Sequence, residues 1–272
     1  MIPPTILIFD SGLGGLTVFR EVAAARPDAR FVYAADDEAF PYGTRSEAEL
    51  IDRVDRVMGG LIKAYEPTVV VIACNTASTL VLADLRRRFS LPFVGTVPAI
   101  KPACKASVSK KVSVLGTEAT VAREYTKALI RDFGEGCEVT LVGARNLAVM
   151  AEAYLRGETI AAEAITAEIA PCFVNGGGAR TDTIVLACTH FPLLRVQLAT
   201  AAPWPVTFVD PAPAIARRVV DLIGPADGPP LREHARIHFT SGKAPSPALA
   251  AALHSYGLHA GTVPANPSYE IP

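Results

Sequence analysis

Val69-Val70-Val71-Ile72-Ala73-Cys74 and, 114 residues further on, Thr183-Ile184-Val185-Leu186-Ala187-Cys188 are two versions of one pattern. Each is an apolar, largely β-branched run that ends in cysteine and passes into polar residues, Asn75-Thr76 in one copy and Thr189-His190 in the other. Apolar at every position rather than at alternate ones, such runs suit strands covered on both faces, the condition of a parallel sheet flanked by helices. Outward from them, further strands are expected at Ile6–Phe9, Phe31–Ala34, Phe93–Val97, Val112–Leu115, Val139–Val142 and Val206–Val209. Amphipathic stretches at Leu16–Ala25, Glu47–Tyr65 and Thr120–Phe133 fit the intervening helices.

Two more landmarks recur at nearly the same offset. Asp10-Ser11-Gly12 follows the first strand and Gly116-Thr117-Glu118 its counterpart, 106 residues apart. Pro92 and Pro98 bracket one strand, Pro205 and Pro211 the other, 113 residues apart. A slowly drifting offset predicts a duplicated unit with small loop insertions. The expected fold is α/β, with two pseudo-symmetric domains, mostly parallel central sheets and the active site in the interdomain cleft. The expected domains are 1–97 with 208–272, and 98–207. After Pro211 a helix is expected from about Ala212 to Ile223, then a Pro/Gly-rich link, Gly224 to Pro230. A strand near 236–240 and a helix near 247–256 then return to the first half. Gly176-Gly177-Gly178 reads as a flexible surface loop.

Composition bounds the function. The 272 residues are 50% hydrophobic and 19% charged, with ample core for a folded protein. The formal net charge is −1, so attraction to nucleic acid is not built in. No apolar run approaches a membrane span, and Thr5-Ile6-Leu7-Ile8-Phe9-Asp10 is too short for a signal peptide. Five scattered cysteines without a CxxC spacing argue against a disulfide framework or zinc knuckle and suit a reducing cytoplasm.

Chemistry concentrates where strands end, because ligands of open parallel sheets bind beyond the carboxyl ends of the strands. Cys74 and Cys188 both stand there, at the start of helical segments whose N–H groups favour thiolate. A lone cysteine in such a place is usually a buried structural residue; two in matched contexts point to paired bases on opposite faces of one carbon. Asn75 or Thr76 is expected to cap the helix after Cys74. His190, two residues past Cys188, is placed to assist proton movement or simply to be a satisfied polar side chain. Asp10 opens Asp10-Ser11-Gly12-Leu13-Gly14-Gly15, an anion-binding turn or an N-cap. That turn is no dinucleotide fingerprint, since Thr17 stands where glycine is needed. His234 and His238 are four apart but lack a third ligand. Arg86-Arg87-Arg88 complements a helix dipole, and Gly242-Lys243 lacks the rest of a P-loop.

Together these segments resemble the glutamate racemases, within the wider aspartate/glutamate racemase family. The resemblance is carried by Phe9 to Val18, Pro41-Tyr42-Gly43-Thr44-Arg45-Ser46, Ala73-Cys74-Asn75-Thr76-Ala77, Gly116 to Val121 and Cys188-Thr189-His190-Phe191-Pro192-Leu193. It implies interconversion of L- and D-glutamate by two-base proton transfer, without PLP or metal, supplying D-glutamate for peptidoglycan. By position, Cys74 and Cys188 would be the bases, Asp10 assisting the first and His190 the second. Glu152 would also help Cys188, although Ala144-Arg145-Asn146-Leu147 before it match loosely. Substrate contacts would come from Asp10, Ser11, Tyr42, Gly43, Asn75, Thr76, Thr117, Thr120, Thr189 and His190. Ala187 and Phe191 replace the family's usual glycine and tyrosine. The resemblance further implies a cytoplasmic homodimer with no nucleic-acid or membrane partner. Regulation by a peptidoglycan precursor belongs to relatives with an extension ahead of the first strand, and the resemblance does not carry it over to this sequence.

Three rivals stay open at this point. One is a sister enzyme acting on aspartate, a hydantoin or maleate. Another is a haloacid-dehalogenase-like phosphatase, which would need an acid where Gly12 stands. The last is an inert binding protein.

Overall fold

The computed structural model describes residues 2–231 and 235–260. In chain order the strands are β1 (Thr5–Asp10), β2 (Arg30–Ala35), β3 (Val69–Ile72), β4 (Phe93–Gly95), β5 (Lys111–Thr117) and β6 (Glu138–Ala144). They continue with β7 (Asn175–Gly176), β8 (Ala179–Arg180), β9 (Thr183–Ala187), β10 (Thr207–Val209), β11 (Ala235–Phe239) and β12 (His259–Ala260). The helices are α1 (Leu16–Ala25), α2 (Glu47–Tyr65), α3 (Asn75–Arg88), α4 (Ile100–Ala106), α5 (Glu118–Ala122) and α6 (Glu124–Phe133). After them come α7 (Leu147–Leu155), α8 (Ala162–Ile169), α9 (Arg195–Ala201), α10 (Ala212–Ile223) and α11 (Pro247–Ser255).

Contacts divide the chain into one unit built from residues up to 96 and from 212 onward, and a second unit, 97–211. The first holds a six-stranded sheet in the order β12-β11-β2-β1-β3-β4, the second a four-stranded sheet in the order β10-β9-β5-β6. All pairings in both sheets are parallel. Matching β1 to β5, β2 to β6, β3 to β9 and β4 to β10 makes the order of the second sheet that of the first, so the repeat seen in sequence is a repeat of topology. The strand β10 pairs with β9, so the chain re-enters the first unit at 212 rather than at 208. As expected, the tail then joins the first sheet, where β11 lies against β2.

Local chemistry explains the element ends. Ile6 to Phe9 and Val69 to Ile72 are fully buried, as covered parallel strands require. A capping box closes the start of α2: Glu49 N–H donates to Ser46 Oγ at 3.3 Å, and Ser46 N–H to Glu49 Oε2 at 3.0 Å. That helix stops at Glu66, in the left-handed region at φ 43°, just before Pro67. The stretch 120–133 is two helices, α5 and α6, broken at Arg123, whose extended backbone interrupts the ladder. The glycine run at 176–178 forms a tight antiparallel hairpin of β7 and β8 rather than a featureless loop. Gly177 and Gly178 both take positive φ there, 64° and 78°, as a two-residue hairpin turn asks.

Candidate active site

In each sheet the chain reverses direction at one place. The connection from β1 leads to one side, that from β3 to the other, so the first switch point lies between the carboxyl ends of β1 and β3. In the second sheet it lies between β5 and β9. The sequence puts Asp10 and Cys74 at the first pair of ends, and Thr117 and Cys188 at the second.

At the first switch point, Ala73 N–H donates to Phe9 O at 2.7 Å, binding the two strand ends side by side. Asp10 is fully buried, and its Oδ2 accepts from Gly12 N–H and Gly15 N–H, each at 3.2 Å. It thus organises the turn ahead of α1, whose N-cap is Gly15. Only glycine fits at 15: a Cβ there would come within 2.9 Å of both Ala73 Cβ and the Tyr33 hydroxyl. Cys74 Sγ is buried, 3.7 Å from Ser11 Oγ. Cys74 itself occupies the N-cap position of α3, so Asn75 and Thr76 lie in the first turn instead of capping it. Both side-chain amide atoms of Asn75 are buried without a hydrogen-bond partner among the described residues. An amide in that state loses its hydration for nothing, at a cost of about 1–3 kcal/mol, unless something else meets it.

Tyr42 and Gly43 lie in a 3-10 turn, 42–44. Tyr42 is buried, and its hydroxyl donates to Asp36 Oδ2 at 2.5 Å. Burial first, and the Asp36 carboxylate second, hold the phenol well above its usual pKa, so it stays a donor. Asp36 had no distinguishing signal beyond its position, just after β2 at the same end of the sheet.

At the second switch point a relay of side chains converges on Cys188. Its Sγ lies 3.9 Å from His190 Nδ1, and His190 Nε2 lies 3.1 Å from Glu152 Oε1. Glu152 Oε2 in turn accepts from Arg156 at 2.8 Å, one helical turn along α7 and at its C-terminal end. Cys188, His190 and Glu152 are all buried. An ionised carboxylate accepts only, so the Nε2–H of His190 points at Glu152 and Nδ1 faces the thiol. Thr117 caps α5, accepting from Thr120 N–H at 3.1 Å, and its hydroxyl meets that of Thr120 at 2.9 Å. Thr189 is buried beside Cys188.

The remaining cysteines have other surroundings. Burial pushes the Cys172 thiol up to about 12. Burial, helped by the neighbouring Cys137 thiol, pushes Cys104 up to about 11. His238 is buried and meets the Tyr65 hydroxyl at 3.2 Å, while His234 lies outside the described residues. None of the helices among the described residues is long and apolar enough to cross a membrane.

The profile of the Asp/Glu/Hydantoin racemase family matches residues 16–219. The chain is 52% identical over 257 residues to the glutamate racemase of Brucella anthropi, covering 93% of this chain and 92% of that one. It is 51% identical to the glutamate racemase of Brucella ovis, over 93% of this chain and 92% of that one. Among solved structures, Escherichia coli glutamate racemase in complex with L-glutamate and the activator UDP-MurNAc-Ala superposes with a TM-score of 0.86 at 37% identity, covering 95% of this chain and 97% of that one. A glutamate racemase isoform from Bacillus anthracis gives a TM-score of 0.78 at 25% identity, covering 96% and 98%. The repeated topology, the thiols at both switch points and these likenesses agree: the chain belongs to the Asp/Glu/Hydantoin racemase family, among its glutamate racemases.

Proposed function

We propose that this protein interconverts L- and D-glutamate by a two-base mechanism in which Cys74 and Cys188 are the proton-transferring groups. The observation that carries the reading is the placement of one buried thiol beside the topological switch point of each repeated sheet. The thiolate of one cysteine takes the α-proton, leaving a carbanion whose charge spreads into the carboxylate. The thiol of the other returns a proton to the opposite face, and the next turnover begins with the roles exchanged. The α-proton is very weakly acidic, so the anion must be met by fixed donors in a water-poor site. The Asn75 amide, which has no hydrogen-bond partner among the described residues, supports such a role, with Ser11, Thr76, Thr117, Thr120, Thr189 and the N–H groups of Tyr42 and Gly43 as further substrate contacts. Asp10 assists Cys74. His190, oriented by Glu152, assists Cys188.

The D-glutamate formed would serve peptidoglycan synthesis in the cytoplasm, and the working species would be a homodimer. Likeness to racemases named for glutamate supports the substrate. The test is solvent exchange. Purified protein without added cofactor, given either enantiomer in D₂O, is expected to place deuterium at Cα while circular dichroism decays to zero. Absence of exchange, or faster turnover of D-aspartate than of D-glutamate, would reject the reading.

A further inference from the structure

The described tail beyond 235 adds β11 and β12 to the first sheet, strands that have no counterpart in the second. Where β11 ends, Thr240 N–H donates to Ala35 O at 3.0 Å and Thr240 Oγ1 donates to Asp36 Oδ1 at 2.6 Å. Asp36 is fully buried and takes three side chains at once: the Thr240 hydroxyl, the Tyr42 hydroxyl and the guanidinium of Arg53 from α2. The Arg53 contact is two-pronged, Nη2 to Oδ1 at 2.5 Å and Nε to Oδ2 at 3.1 Å, and Arg53 Nη2 also reaches Glu38 Oε2 at 2.8 Å. A second strut lies beside it. Ser241 N–H and Ser241 Oγ both donate to Asp37, at 3.0 and 2.5 Å. Tyr42 meanwhile packs in the same core cluster as Cys74.

A buried carboxylate is costly to desolvate and is worth holding only where its partners are fixed by it. Of these partners, Tyr42 is the one whose turn carries the N–H groups of 42 and 43. We propose that Asp36 is a positioning residue for the turn 42–44, braced from behind by Arg53 and by Thr240 of the tail, and that it acts on glutamate recognition through Tyr42. The proposal rests on the function proposed above. It also gives the tail strand β11 a part in the site that no motif of the tail announces.

The test is a double-mutant cycle on the full-length enzyme, with Asp36→Asn, Tyr42→Phe and the double variant, measured by circular dichroism with each glutamate enantiomer. Each single variant is expected to raise KM about tenfold, a shift of about 1.4 kcal/mol, with kcat changed far less, the pattern of lost ground-state binding. The double variant should be no worse than the worse single one, because both remove the same bond. Thr240→Val, which deletes one brace only, should raise KM in the same direction and keeps the proposal testable if Asp36→Asn fails to fold. Asp28→Asn is the control. It breaks a different buried ion pair of the same unit, Arg26–Asp28 at 2.9 Å, and should lower the melting temperature while leaving KM unchanged. Additive losses in the cycle, an unchanged KM in folded Tyr42→Phe, or an equal KM rise in the Asp28 control would each overturn the proposal. An inactive wild-type enzyme would instead sink the assignment of function itself.

Discussion

Replacing Glu152 by glutamine is the sharpest probe of the relay behind Cys188, because it removes a charge while nearly preserving shape. In the native arrangement the carboxylate accepts from His190 Nε2 at 3.1 Å and from Arg156 at 2.8 Å. It therefore selects the tautomer that leaves a lone pair on Nδ1, the atom 3.9 Å from the Cys188 sulfur. A glutamine can turn its NH₂ toward Nε2, and the ring proton then moves to Nδ1 and meets the thiol as a second donor. Wrong-tautomer loss of this kind is known for the serine-protease triad. Hydrogen bonds to charged groups contribute about 1.5–3 kcal/mol. Removed from the proton-transfer step, that range corresponds to about 10- to 150-fold in kcat at 1.4 kcal/mol per decade. Arg156 is half exposed and regains water when its partner loses charge, so the melting temperature should fall by only about 2–4 °C. The assay is racemisation in both directions by circular dichroism, with a thermal melt as the fold control. A folded Glu152→Gln enzyme that keeps more than half of its kcat with both enantiomers would refute the relay.

Cys74→Ser and Cys188→Ser are each expected to reduce racemisation to near background with an unchanged melt, and retained turnover in either would refute the two-base assignment. Asn75→Ala removes an amide that has no hydrogen-bond partner among the described residues; denaturant unfolding should show stability held or raised, while KM for glutamate rises about tenfold or more. Acid should uncouple two structural carboxylates. Asp28 is held at about 2 chiefly by Arg26, and Asp182 at about 2 because bonds from Ser107, Ser109, Thr183 and Val108 outweigh its burial. Both folded values lie below the unfolded one, so their contribution is complete above about pH 4 and is lost as pH falls toward 2. Melts of Asp182→Asn against wild type should therefore differ at pH 6 and converge near pH 2. With an alkylating probe at pH 8, Cys172, at about 12, should stay unlabelled in the native protein and react only after unfolding.

How much a sequence discloses depends on what a single residue can signal by itself. The buried strands were legible because a run such as Val69 to Ile72 has one physical use, and α1 and α2 because their apolar stripes are long enough to show a period. The short helices α4, α8 and α9, of seven or eight residues, and the two-residue strand β12 carry too little periodicity to stand out. Cys74 and Cys188 announce themselves by recurring at strand ends, and His190 by standing two residues past the second of them. The Asp36 network did not, since its members come from the loop after β2, from α2 and from the end of β11, and only the sheet order β11-β2-β1 brings them together. Asn75 or Thr76 is expected from sequence to cap α3, but Cys74 holds the capping position, and the Asn75 amide has no hydrogen-bond partner among the described residues.

The duplication also explains why the two thiols are not chemically equivalent. The repeat copies the strand end, which sets where each sulfur sits, but the segment after the strand has diverged. Cys74 is the N-cap of a helix of 14 residues, with Ser11 as the neighbouring hydroxyl. Such an end carries about half a positive charge and favours thiolate. Cys188 is followed by a 3-10 turn of four residues and then a helix of only seven, a weaker dipole source. There the chain supplies His190, Glu152 and Arg156 instead. The long helix after Cys74 and the side-chain relay behind Cys188 thus give the two sulfurs different surroundings. Substitutions that strip the relay should therefore slow proton removal at Cys188 more than at Cys74. A racemase equilibrium constant of one ties the two kcat/KM values together, so the asymmetry must appear elsewhere. It should be read in pre-steady-state exchange of the α-proton from each enantiomer in Glu152→Gln, and equal slowing of the two half-reactions would contradict it.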